Sequence, residues 1–228
     1  MIISHTHRFI FIKTNKTAGT SIEAALTSLC GGRAVITPFR ADNEPYRAGR
    51  GPQNYRIEHP AKPKRPWWRT LFGRPERYWH PSVGFYEHMP AWQIREYVGE
   101  DVWRSYYKFA FDRNPWDRQV SWYHYKTKSK RRRPSFERFM RSRTAFVRNY
   151  ELYAINGTVA VDFIGRFETL SEDLASVMQT VGVETELALP KTNVSESADY
   201  RSYYTPELRD RVAEWYAPEI KLLGYAFE

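Results

Sequence analysis

RFIFIKTNKTAGTS, residues 8–21, holds the reading on which the fold turns. Phe9, Ile10, Phe11 and Ile12 form a short apolar run of the kind that makes a buried strand. Lys16-Thr17-Ala18-Gly19-Thr20-Ser21 then makes a tight turn, and IEAALTSL continues as a helix. A helix N-terminus presents unpaired N–H groups and the positive end of the macrodipole, so a loop at this junction favours an anion. Lys16 adds a mobile cation, Thr20 and Ser21 add hydroxyls, and Gly19 permits close backbone approach and unusual dihedrals. The loop therefore reads as a phosphate cradle. It differs from the nucleoside-triphosphate loop G-x-x-x-x-G-K-[ST], because here the lysine precedes the glycine.

The 228 residues are enough for one domain with a sizeable core, and 42% hydrophobic with 16% aromatic residues is a globular composition. A net charge of +9, from 35 Lys and Arg against 26 Asp and Glu, points to acidic ligands. Cys30 has no second cysteine with which to pair, and no His or Cys cluster has metal-ligand spacing. The first residues lack a signal-peptide core, and no run approaches the ~18 apolar residues of a membrane span. These features predict a metal-free protein in a reducing, cytoplasmic compartment.

One domain is expected over residues 1–228, with an irregular insertion rich in Pro, Arg and Trp at about 33–87 and a short strand near 34–37. Prolines break any long helix there, and loops of such length are usually functional or mobile. Regular patterning resumes with a helix from Pro90, a buried strand over 106–111, helices over 115–125 and 135–142, and a strand over 161–167. A helix over 169–181 and a last one over 206–223, bent at Pro218, complete the pattern. Such alternation predicts an α/β fold of three layers, a central parallel sheet with helices on both faces.

FAFDRNPWDRQVSWY, residues 109–123, repeats the strand–turn–helix order. Asn114 is placed to cap the helix and Pro115 to open it. Arg113 then emerges at the carboxyl end of a strand, where open α/β sheets bind ligands, with a fork suited to phosphate. Arg118 and Ser121 follow on the helix. The bland alternative is that Arg113 pairs with Asp112 or Asp117.

Taken together, K-T-A-G-T-S and R-N-P-W-D-R-x-V-S-W-Y resemble the sulfotransferases that use 3′-phosphoadenosine 5′-phosphosulfate, most of all the carbohydrate O-sulfotransferases acting on glycosaminoglycan-type sugars. FIGRFETLSEDL, LPKTNVS and YRSYYTPELRDRVAEWYAPEIKLLGY resemble that family's C-terminal run in order and spacing. The resemblance implies a fold related to nucleotide kinases. It makes Lys16 the catalytic lysine, Thr17 through Ser21 the 5′-phosphosulfate loop, and Arg113 with Ser121 the 3′-phosphate pair. Lys191, Thr192, Asn193 and Ser195 fall in a loop that closes near the nucleotide in the relatives, and Arg201 would add a phosphate contact. Asn15 departs from the pattern, since many relatives carry proline before the lysine, and this would soften the loop.

Direct transfer of a sulfuryl group to a hydroxyl needs a base. His88 stands where the related carbohydrate enzymes place a histidine, and an unperturbed imidazole titrates near pH ~6.5. Glu87 is the second candidate. The implied partners are the nucleotide donor and a hydroxylated acceptor, a glycan first, without nucleic acid or a membrane span. The basic run Lys126–Arg133 reads either as a solvated loop or as a funnel for anions, and Trp67, Trp68, Tyr78 and Trp79 suit sugar stacking. Two competing readings are a nucleotide or sugar kinase, which the missing G-K-[ST] element disfavours, and a basic nucleic-acid-binding protein, which would need no paired anion clefts.

Overall fold

Alternation along the quoted strand builds two cores at once. Phe9 and Phe11 face one side with Ile2, Phe109 and Phe111, while Ile10 and Ile12 face the other with Ile3 and Ala110. All of these are fully buried. Truncating one of the phenylalanines to alanine would cost about 3–5 kcal/mol of stability.

The computed structural model describes residues 1–57, 84–185, 187–190 and 199–228. In chain order its strands and helices are β1 (Ile2–Ser4), β2 (Phe9–Ile12), α1 (Gly19–Leu26), β3 (Val35–Ile36), α2 (Ala91–Val98), α3 (Glu100–Ser105) and β4 (Tyr107–Asp112). Then follow α4 (Pro115–Thr127), α5 (Phe136–Met140), α6 (Tyr150–Tyr153), a small hairpin of β5 (Ala154–Ile155) and β6 (Thr158–Val159), and β7 (Phe163–Arg166). The last helices are α7 (Leu170–Thr180), α8 (Pro206–Trp215) and α9 (Ala217–Leu223).

The main sheet runs β3-β1-β2-β4-β7. The central pairs β2–β4 and β4–β7 are parallel, as the alternation of strands and helices predicts. The edge departs from that expectation. β1 runs antiparallel to both β2 and β3, because residues 5–8 turn the chain straight back, with Arg8 at φ 51°. Helices α1 and α7 cover the phenylalanine face through Ile22, Leu26, Leu174 and Val177, and α2, α3 and α6 cover the other through Ile94, Trp103 and Tyr153. Three layers result. Gly165 lies opposite Phe111, and a Cβ there would stand 2.3 Å from the Phe111 ring, so glycine is what lets these strands pair.

A third cluster joins α4 to α5 and α8. It gathers Trp116, Val120 and Tyr123, the face expected from their spacing, against Phe136, Phe139, Leu208 and Val212. The expected bend at Pro218 is a full break, with α8 ending at Trp215 and Pro218 in the first turn of α9. No helix among the described residues is long and apolar enough to cross a membrane.

Candidate active site

β2 and β4 are neighbouring parallel strands, in register from Phe9↔Tyr107 to Ile12↔Ala110, so the turns that follow them open at one edge. After β2 the chain drops into a loop whose unusual backbone falls on Lys16 (φ 63°) and Ala18 (φ 56°), not on Gly19 as the sequence suggests. Gly19 is needed for space: a Cβ there would stand 2.8 Å from Cγ of Lys13. That lysine is pinned beneath the loop, its Nζ 3.0 Å from Glu23 and also bonded to Glu87. Thr17 is fully buried, with its hydroxyl 2.8 Å from that of Thr14, so its side chain is committed to holding the loop. Ser21 is also buried, while Thr20 is half-buried.

Helix α1 receives no side-chain cap and carries no acidic residue in its first turn. Among the described residues, the N–H groups of Gly19 and Thr20 find no acceptor. A helix N-terminus left in this state favours an anion. Lys16 lies beside it, half-buried, its ammonium 4.8 Å from the centre of the Tyr125 ring. Burial first, then the charges of Arg113 and Lys128, lower its pKa to about 8. Tyr125 also receives Arg40, whose Nη1 donates to its hydroxyl at 2.7 Å, and Lys128 at 5.5 Å from the ring centre. Three cations thus converge on one aromatic ring.

Beyond β4, Asn114 caps α4 by accepting from the N–H of Trp116 at 3.1 Å, as its place before Pro115 predicts. Arg113 reaches toward the first loop and donates from Nη1 to the Lys16 carbonyl at 3.3 Å. Its fork is held by Asp117 through Nε at 2.7 Å and Nη2 at 2.6 Å, and its plane lies over Phe167. The bland alternative and the proximity to Lys16 therefore both occur. Ser121 sits on α4, half-buried, and makes no polar contact among the described residues. Arg201, exposed beside α4, spends its guanidinium on Asp199 at 2.6 Å. Lys191 and Asn193, with Thr192, Ser195 and the Trp67–Trp79 aromatics, lie outside the described residues.

Sequence reasoning missed the frame behind these turns. Arg118 is fully buried; it donates to Asp112 and, at 3.1 Å, to Glu219. Burial raises the Glu219 pKa to about 7 against the pull of Arg118. Asp112 also accepts from the Arg113 N–H at 2.9 Å, from Tyr153 at 2.8 Å and from Asn149 at 3.2 Å. Asn149 in turn holds Asn15, so the residue expected to soften the loop is tied down. An Asp directly before Arg113 was the one visible clue.

His88, half-buried at φ 58°, bonds through Nδ1 to the Lys13 carbonyl at 3.0 Å. A carbonyl only accepts, so Nδ1 carries the proton and Nε2 keeps its lone pair. Burial lowers the His88 pKa to about 4, outweighing the adjacent Glu87 carboxylate. Glu87 is driven the other way: Lys13 and then His88 overcome its burial and hold its pKa at about 2. Glu87 is thereby an ion-pair partner for Lys13. Among the described residues, no three His, Cys, Asp or Glu side chains gather as a metal site.

Comparison with known proteins bears on this geometry. An uncharacterized protein of Archaeoglobus fulgidus is 40% identical over 118 residues, which cover 50% of this chain and 98% of the relative. A solved sulfotransferase from Alicyclobacillus acidocaldarius is similar over 95% of this chain and 96% of its own, at 16% identity and a TM-score of 0.42, too loose a likeness to carry an argument. The family model described as "Sulfotransferase family" matches residues 1–226. On the strength of that match along nearly its whole length, the chain belongs to the sulfotransferase family.

Proposed function

We propose that this sulfotransferase takes its sulfuryl group from 3′-phosphoadenosine 5′-phosphosulfate and delivers it to a hydroxyl of an acceptor, a carbohydrate before other classes. One observation carries the reading: Lys16, with no carboxylate partner among the described residues, and Arg113, 3.3 Å from the Lys16 carbonyl, stand at the carboxyl ends of adjacent parallel strands. A ligand with phosphate at two places suits such a pair. The uncapped end of α1 fits the 5′ group, and Arg113 with Ser121 fits the 3′-phosphate once Asp117 yields the guanidinium.

The donor supplies the sulfuryl group and leaves as adenosine 3′,5′-bisphosphate. Lys16 and the N–H groups of Gly19 and Thr20 meet the phosphate oxygen that receives the electron pair as the S–O bond breaks. Their interactions strengthen as charge develops, which is how preorganised donors accelerate transfer. His88 takes the acceptor proton on Nε2 as the new S–O bond forms. A weak base suffices, because the acceptor oxygen becomes acidic late in a loose transition state of the kind argued for phosphoryl transfer. The glycan preference rests on the resemblance of the quoted motifs. It gains support from the exposed basic run, whose Lys130, Arg132 and Arg133 line, with Arg138, an open cleft of about 520 Å³.

Incubation with isotopically labelled donor and a glycan panel, read by mass spectrometry, tests both parts. Label on a glycan supports the whole reading, and label only on a small alcohol or tyrosine peptide revises the acceptor. Thermal shifts complete the test: stabilisation by adenosine 3′,5′-bisphosphate is expected, and a preference for Mg-ATP would overturn the donor.

A further inference from the structure

We propose that Asn149 is a positioning residue that locks the two anion-facing turns into one frame. The inference rests on the donor reading above. Asn149 is fully buried, 134 residues from Asn15 in sequence, just ahead of α6. Its Oδ1 accepts from the Asn15 backbone N–H at 2.8 Å and from the Asn15 side chain at 3.2 Å. Its Nδ2 donates to the Asn15 carbonyl at 3.0 Å and to Asp112 at 3.2 Å. A carboxamide has two acceptor sites and two donor hydrogens, and all four are used.

This bridge has two ends of different kinds. One grips the backbone immediately before Lys16. The other reaches the Asp112 oxygen that also accepts from the Arg113 N–H at 2.9 Å. Lys16 and Arg113 are thereby indexed to each other through one buried side chain. Lys16 has a positive φ that costs of order 1–3 kcal/mol and persists only where its surroundings over-determine it. Asn149 supplies that constraint. Aspartate at 149 would set a second carboxylate against Asp112 and lose both donors. Alanine would remove every side-chain bond to Asn15 except the one from its amide to the Arg148 carbonyl at 3.3 Å.

Four proteins test the idea: wild type, Asn149→Ala, Asn149→Asp and Val212→Ala. Val212 is fully buried in the third cluster and makes none of the hydrogen bonds that tie Asn149 to the two turns, so its truncation serves as the control for lost stability. Misplacement of about 1 Å can reduce turnover by ~10²-fold. Both Asn149 variants should lose kcat by that order and bind adenosine 3′,5′-bisphosphate more weakly, with the acceptor KM within about twofold of wild type. Val212→Ala should keep wild-type kcat at a matched loss of Tm. Equal kcat for Asn149→Ala and wild type, or equal losses in Asn149→Ala and Val212→Ala, would overturn the proposal.

Amide hydrogen exchange supplies a readout independent of turnover. Exchange at residues 14–19 should accelerate in Asn149→Ala and not in Val212→Ala. If wild type transfers nothing from the donor, the donor reading falls. Unchanged exchange in Asn149→Ala would then overturn the brace separately.

Discussion

Two strand–turn–helix units, residues 9–26 and 107–127, share a layout and treat their helix N-termini in opposite ways. The second is self-sufficient: Asn114 caps α4, Pro115 opens it, and Asp117 in its first turn holds Arg113. The first has no cap, no first-turn carboxylate, and two non-glycine residues at positive φ. A stability argument alone would favour the second design at both places. The difference is what the donor reading proposed above expects: an α1 end left uncapped for an outside anion, and an Arg113 fork held by Asp117 until a phosphate takes it.

The largest expected effect breaks the first unit. Lys16→Ala should reduce kcat by ~10²–10³-fold with unfolding behaviour unchanged, the magnitude seen when a preorganised donor is removed. Full activity would remove the lysine from the chemistry. Next comes pH. Burial and the neighbouring charges lower the Lys16 pKa to about 8, and on the proposed reading the donor binds the charged form. Affinity for adenosine 3′,5′-bisphosphate, followed by calorimetry, should be flat between about pH 7 and that value, above the range around pH 6 in which the phosphates themselves take up protons. Above it, affinity should fall toward about tenfold per unit, since one proton must be regained on binding. A flat profile through pH 9 would place the bisphosphate away from Lys16.

A smaller change sharpens the second unit. Asp117→Asn removes the carboxylate that occupies the Arg113 fork, so bisphosphate affinity should rise a few-fold, the ~0.2–1 kcal/mol scale of a partly exposed ion pair. Weaker binding would instead make Asp117 the residue that aims Arg113. Smallest is Ala18→Gly. Relief of a left-handed alanine, partly offset by the extra freedom of glycine in the unfolded chain, should raise stability by about 0.5 kcal/mol in denaturant melts. No positive φ occurs at Arg113, Asn114 or Pro115, so the turn after β4 offers no equivalent gain.

Much of this architecture was legible in the sequence where local rules act. Phe9–Ile12 and the Tyr107–Asp112 run announce themselves as buried strands, and Asn114-Pro115 fixes the start of α4. β1 was missed because three residues carry no periodicity and its turn contains no glycine or proline. Arg118 was read only as lying near a ligand helix, since a basic residue there looks the same in sequence whether buried or exposed. Asn149 was beyond reach. It stands in a stretch without pattern, and its partners Asn15 and Asp112 belong to distant elements. Local spacing reveals turns that face a ligand; long-range pairing decides how they are held, and a single sequence does not display it.

Tyr125 has a consequence for measurement. Trp122 stacks on it at 5.6 Å with the rings 25° from parallel, while the ammonium of Lys16 rests against the tyrosine. On the donor reading proposed above, that ammonium leaves the ring for a bound phosphate while Arg40, Lys128 and Lys126 stay on the pair, so the indole emission is expected to change on titration with adenosine 3′,5′-bisphosphate. Trp122 would then serve as a gauge of donor occupancy, a change absent from Trp122→Phe being the expected signature against the background of the other tryptophans.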